Sequence, residues 1–255
     1  MSLHKCINSN EIPARAPNAN ACTSKPINDS DQKPPGEELV GKEVGSKLRV
    51  RVYSSFECYA QLIVSKVRRG FNQNWNNVDL FISHDIHIND FEDLCNCDVV
   101  VIDTNQMTWN VAFLNRIFES TCGSLKGLVL FNYVPADGFN HSCFEDGSCD
   151  YYYLQSPNDF TTMIPTRDDD PLLRNVKPFL LNCGRINTQC ISGTLVATIE
   201  DGTPLFAKNV VCGQRFVEFL FHSNTWGNVP NDGPFESSSE CDLLIANAVA
   251  WCGHV

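Results

Sequence analysis

The polar residues of this sequence that could do chemistry fall in small groups, each directly after an apolar run. Ser54 and Ser55 follow residues 48–53, Asp103, Thr104 and Asn105 follow 98–102, Asn132 and Tyr133 follow 127–131, and His222 follows 216–221. In an open parallel sheet, ligands bind beyond the carboxyl ends of the strands, where loops converge and helix N-termini point inward. Ser54, Asn105, Asn132, Tyr133, His222, Thr225 and Trp226 are therefore the candidate ligand-binding set. Hydroxyl, amide and imidazole groups beside one stacking surface suit a small polar ligand, a sugar among them. A His at the end of an apolar strand equally serves a structural role by bonding a neighbouring backbone. A general-base role for His222 would require a positioned substrate proton.

Metal chemistry is less well supplied. Zinc sites use four ligands, commonly on paired hooks, and neither Cys95-Asn96-Cys97 nor His141-Ser142-Cys143 with Cys149 provides one. The second group reads as a surface loop with incidental thiols. His84-Asp85-Ile86-His87 offers two imidazoles and a carboxylate but no fourth ligand, so a solvated loop is expected. Asp168-Asp169-Asp170 before Pro171 reads as an exposed turn with a helix cap rather than a hard-cation site. Cys58 and Cys241 are expected to be small buried thiols, and Asp103 to cap the helix after it. No metal and no cofactor is expected.

The bulk numbers bound the rest. With 255 residues, 43% hydrophobic and 19% charged, the chain is long enough for one sizeable domain. A net charge of −11 would repel a polyphosphate, which argues against nucleic acid and anionic membrane as partners. No stretch approaches the roughly 20 apolar residues that span a bilayer. Met1-Ser2-Leu3-His4-Lys5-Cys6 is followed by polar residues rather than a signal-peptide run, so the cytoplasm is the expected compartment. The 13 Cys, an odd count with many inside apolar runs, fit reduced core thiols better than a disulfide scaffold.

Residues 1–46 hold no Phe, Trp or Tyr and carry Pro13, Pro17, Pro26, Pro34 and Pro35. Such a segment cannot bury enough surface to offset its ordering entropy, so it is expected to be a disordered leader. The domain proper is expected over 47–255. Residues 48–53 alternate with period two, and Phe56, Tyr59, Ala60, Ile63, Val64 and Val67 lie on one helical stripe that Gly70 would end. Strands at 78–83, 98–103 and 127–131 alternate with helices at 86–94 and 109–119. This order predicts a flavodoxin-like, doubly wound α/β fold with a mostly parallel sheet and helices on both faces. Residues 132–192 lack periodicity and read as an elaborated loop region or an insertion over the functional edge. Beyond them, 193–199, 203–211 and 214–221 read as strands joined at Asp201-Gly202 and Cys212-Gly213, and 239–251 as a closing helix.

Several of these segments carry a family likeness. The runs Gly202-Thr203-Pro204-Leu205-Phe206-Ala207 and 213–222 with its final His222, then Trp226, then 244–253 ending Trp251-Cys252-Gly253, resemble the trehalose-utilisation (ThuA-like) family. That family belongs to the class I glutamine-amidotransferase-like superfamily. Asp170-Pro171-Leu172 resembles its His-Pro-hydrophobic segment, with Asp in place of His. The likeness implies the amidotransferase-like form of the doubly wound fold over about residues 47–253.

One departure decides the functional expectation. Class I amidotransferases present a Cys in a Gly-x-Cys-x-Gly elbow after a central strand, where glycines permit the strained turn and a helix N-terminus stabilises the thiolate. Here the corresponding run is Phe131-Asn132-Tyr133-Val134-Pro135. It holds no thiol, no Ser and no flanking glycine, and the phenol of Tyr133 is a poor substitute, with an ordinary pKa of about 10. The expectation is a non-catalytic binding or interaction module with an unknown small polar ligand or a protein partner. An enzyme acting on a carbohydrate or polyol, and a scaffold domain of a larger assembly, stand as alternatives.

Overall fold

The structure, a computed structural model, describes residues 46–54, 57–85, 94, 96–104, 111–119, 125–131, 138–144, 161–181, 188–221 and 239–255. The element order is β1 (Ser46–Ser54), α1 (Glu57–Asn74), β2 (Val78–Asp85), β3 (Val99–Asp103), α2 (Val111–Glu119), β4 (Gly127–Phe131), β5 (Thr161–Pro165), β6 (Leu180–Leu181), β7 (Thr194–Ile199), β8 (Pro204–Val211), β9 (Gln214–Phe219) and α3 (Ser239–Cys252). All nine strands join one sheet in the order β2-β1-β3-β4-β9-β8-β7-β5-β6. The pairs from β2 through β9 are parallel, in the flavodoxin-like order. Beyond β9 the sheet continues antiparallel through β8, β7, β5 and β6.

Period-two alternation sorts the apolar strand residues onto two faces. Leu48, Val50, Val52, Val99, Val101, Val129, Val217 and Phe219 join one core with α1 and α3. Val100, Ile102, Leu128, Leu130 and Phe216 join the other with Leu114, Ile117 and Phe118 of α2. Every residue of β3 and β4 is buried, as a central strand covered on both faces must be.

Asp98 ties the amino ends of β1, β3 and β4 together. Its Oδ2 accepts from the Arg49 backbone N–H at 2.8 Å and from Arg49 Nε at 3.2 Å, and Lys126 Nζ lies 3.2 Å from Oδ1. Burial pushes this carboxyl up, but the hydrogen bonds from Arg49 and Lys126 outweigh it and hold Asp98 below the usual range.

Several expectations change. α1 runs through Gly70 to Asn74, so this glycine does not end the helix. A methyl at Gly70 would strike the Asp242 backbone and lie 2.5 Å from Ala246 Cβ, so glycine is required by the close crossing of α1 and α3. Within 132–192, where an elaborated loop region or an insertion was expected, β5 pairs with β7 and β6 with β5, adding two strands to the sheet. β1 begins at Ser46, paired with Val78, one residue inside the expected leader. Residues 1–45, and the expected helix 86–94 apart from Leu94, lie outside the described residues.

Candidate functional site

The chain leaves β1 to form β2 on one side and β3 on the other, so the topological switch point lies between the carboxyl ends of β1 and β3. Ser54 and Asp103 pair in register there, and the same row continues through Phe131 of β4 and Phe219 of β9. Ser54 is 1% and Asp103 0% exposed, and Ser54 Oγ donates to Asp103 Oδ2 at 3.1 Å. Thr104 closes the end of β4, giving its backbone N–H and its Oγ1 to the Phe131 carbonyl at 3.0 and 2.9 Å.

Farther along the same row the edge is aromatic. Phe131 stacks on Phe219 with centroids 5.1 Å apart, and Phe206 and Phe221 contact Phe219 at 5.1 and 5.0 Å. A hydroxyl–carboxylate contact and a phenylalanine stack thus join the neighbouring strand tips across the row. Among the described residues the serine faces the carboxylate directly, with no imidazole between them.

Of the seven predicted ligand-binding residues, Ser54 is described, and its hydroxyl is committed to Asp103. Asn105, Asn132, Tyr133, His222, Thr225 and Trp226 lie outside the described residues. β4 and β9, which precede Asn132 and His222 in sequence, end side by side and parallel at this edge.

Other predicted roles are corrected. Asp103 receives the Ser54 hydroxyl, and residues 105–110, where a helix capped by it would begin, lie outside the described residues. His84 and Asp85 belong to β2 rather than to a loop, and His84 Nε2 lies 2.6 Å from Glu57 Oε1. The contacts from His84 and Gln61 hold the Glu57 carboxyl below its ordinary value. Asp168 and Asp169 are exposed as expected, but Asp170 is buried. It caps the 3-10 turn Pro171–Leu173 by accepting from Leu172 N–H at 3.0 Å and pairs with Lys208 Nζ at 2.6 Å. Cys58 is exposed, whereas Cys241 is buried.

The 141–144 segment is no surface loop. Ser142 Oγ lies 3.1 and 3.0 Å from the two oxygens of Glu218, and Cys143 N–H donates to Glu218 Oε2 at 2.7 Å. Glu218 is fully buried in β9. The signal for it was present, since a lone acid inside the apolar run 216–221 must find hydrogen-bond partners. Burial, with Glu218 beside it, pushes the Cys143 thiol well up, and burial likewise raises Cys190, Cys241 and Cys252. The seven described cysteines are free thiols. Among the described residues no helix is long and apolar enough to cross a membrane, and no group of three potential metal ligands occurs.

No family model matches the chain, and no curated protein sequence matches it. Solved structures do. A cytoplasmic protein from Salmonella typhimurium LT2 is 12% identical, with a TM-score of 0.53 over 81% of this chain and 99% of that one. A ThuA-like protein from Bacteroides uniformis is 10% identical, with a TM-score of 0.50 over 84% of this chain and 94% of that one. The glutaminase domain of a Trypanosoma brucei CTPS is 10% identical, with a TM-score of 0.48 over 80% and 94%. The chain is thus built on a flavodoxin-like, doubly wound α/β fold that it shares with a solved ThuA-like protein.

Proposed function

We propose that this chain is a non-catalytic, cytoplasmic binding module on an amidotransferase-like sheet, taking a small polar ligand at the carboxyl edge of its parallel strands. One observation carries the reading: β4, the central strand after which this fold would present a nucleophile, is followed by Asn132-Tyr133-Val134-Pro135. Cys143, Cys190, Cys241 and Cys252 are all held away from the reactive thiolate by burial. The cytoplasmic part rests on the seven free thiols, which suit a reducing compartment.

The test is ammonia release from L-glutamine by the purified protein, with Cys58→Ala and His222→Ala alongside. The expected result is no release above the blank. Turnover by the wild type that either substitution abolishes would overturn the reading. A thermal-shift screen with sugars and polyols addresses the ligand: a saturable rise removed by Trp226→Ala supports the binding site at this edge.

A further inference from the structure

A second site lies away from the carboxyl edge. A cavity of about 590 Å³ opens on β1 and β2, lined among others by Arg49, Arg51, Arg68, Phe81, Ser83 and Asn96. Its volume lies within the roughly 300–1,000 Å³ of small-molecule sites. Arg49 pairs in register with Phe81 and Arg51 with Ser83, so the pleat sends these four side chains to one face. Arg49 precedes Ser54 by five residues, about 16 Å along the strand, which separates the cavity from the switch point.

Among the described residues the lining holds three arginines and no carboxylate, in a chain whose net charge is −11. The carboxylates that hold the arginines are outside the lining. Asp98 takes Arg49 Nε at 3.2 Å, and Asp85 takes Arg51 Nη2 at 3.2 Å while Arg51 Nη1 donates to Ser83 Oγ at 3.0 Å. Each guanidinium is thus oriented without being used up. Arg49 directs only its Nε and backbone N–H to Asp98, Arg51 Nε is buried without a partner, and Arg68 makes one contact, to the Ile82 carbonyl at 3.5 Å. Beside them Phe81 is 51% exposed, and Lys47 Nζ stands 5.8 Å from its ring centroid. Guanidinium forks match carboxylate and phosphate oxygens in two-point contacts, and a half-exposed phenyl ring is a platform for a flat apolar body.

We infer that this cavity binds a small aromatic anion, a planar ring bearing a carboxylate or a phosphate, with the anion on Arg49 and Arg51 and the ring against Phe81. The site is independent of the ligand proposed for the carboxyl edge. The probes are 4-hydroxybenzoate and adenosine 5′-monophosphate, which separate the carboxylate and phosphate sources, with adenosine and inorganic phosphate as single-feature controls. Binding to the whole chain is followed by calorimetry and by the arginine Nε–H signals in NMR spectra.

At least one of the two aromatic anions is expected to bind saturably and to shift the Arg51 Nε–H signal. Arg49→Gln, which keeps the backbone N–H bond to Asp98, and Phe81→Ala, both at partly exposed positions, should each weaken it about tenfold or more. Circular dichroism melts verify that these variants fold. The inference is overturned if neither aromatic anion binds, or if both variants bind like the wild type. Adenosine binding as tightly as its monophosphate would overturn the role of the arginines, and inorganic phosphate doing so would overturn that of Phe81.

Discussion

The contact between α1 and α3 makes a sharp energetic prediction. Asp242, 2% exposed, receives Arg69 Nε at 2.6 Å and Arg69 Nη2 at 3.1 Å, while Lys66 Nζ lies 3.9 Å away. The two cations are not equivalent: the Lys66 side chain is 1% exposed and that of Arg69 45%. In Asp242→Asn, Arg69 can turn to water, but Lys66 stays buried beside the Cys241 sulfur at 3.7 Å and loses the Asp242 charge. Removing one partner of a buried ion pair costs about 3–5 kcal/mol, a large share of the roughly 5–15 kcal/mol that holds a domain folded. For a domain of this size each kcal/mol lowers Tm by about 2–4 °C, so a fall of about 6–20 °C is expected. Urea denaturation at neutral pH, read by circular dichroism, measures the loss. Because the cost comes from the stranded ammonium, the double variant Lys66→Met with Asp242→Asn should recover about 2 kcal/mol or more of it. A loss below about 1 kcal/mol in Asp242→Asn, or simple additivity in the double variant, would refute the reasoning.

Further outcomes test the other devices. Glu218→Leu strands the Ser142 hydroxyl and the Cys143 N–H, each costing about 1–3 kcal/mol, and amide exchange at Cys143 should speed up measurably before that of β9 responds. Gly70→Ala pushes a methyl into the Asp242 backbone and should cost about 1–3 kcal/mol or more by overpacking, seen as a lower urea midpoint. Asp98 has a depressed folded pKa, so its contribution is complete above its unfolded value of about 3.9 and fades as pH falls through the folded value. The stability gap between wild type and Asp98→Asn should therefore be constant near neutrality and close in acid below about pH 4, as read by denaturation at a series of pH values. Iodoacetamide on the native protein should label the exposed Cys58 and Cys212 and spare Cys143, Cys241 and Cys252, as peptide mapping by mass spectrometry would report.

What was readable beforehand follows from how each element is stabilised. β1, β3, β4, β8 and β9 announce themselves because burial on one or both faces imposes apolar patterning on the residues themselves. β5 is different. Thr161-Thr162-Met163-Ile164-Pro165 has little apolar content, and its strand geometry comes from pairing with β7 and from Thr166 Oγ1, which donates to the Leu195 and Val196 carbonyls. Partners distant in sequence supply that structure, so no local window contains it. Gly70 misleads for the converse reason: its local meaning is a helix stop, yet its tertiary role is to let two helix backbones touch.

The candidate site divides along the same line. That Ser54 and Asp103 sit at strand tips was legible from the lengths of two apolar runs. That they bond each other was not, because the contact depends on β1 and β3 being neighbours, and β2, which intervenes in sequence, lies on the far side of β1. Asp98 and Glu218 carry a more general lesson. Both are acids beside or within apolar strand runs, and both are buried with hydrogen bonds that join elements 49 and 75–76 residues apart. A carboxylate in such a run is costly unless its partners are fixed in advance, so each marks a place where the fold depends on one long-range polar contact. The arginine-lined cavity on β1 and β2 inverts that arrangement: the acids that hold Arg49 and Arg51 stand outside its described lining, and the arginines line an open volume. Structural pairs close on themselves, whereas an array that leaves guanidinium donors directed at a cavity is arranged for something that arrives from outside.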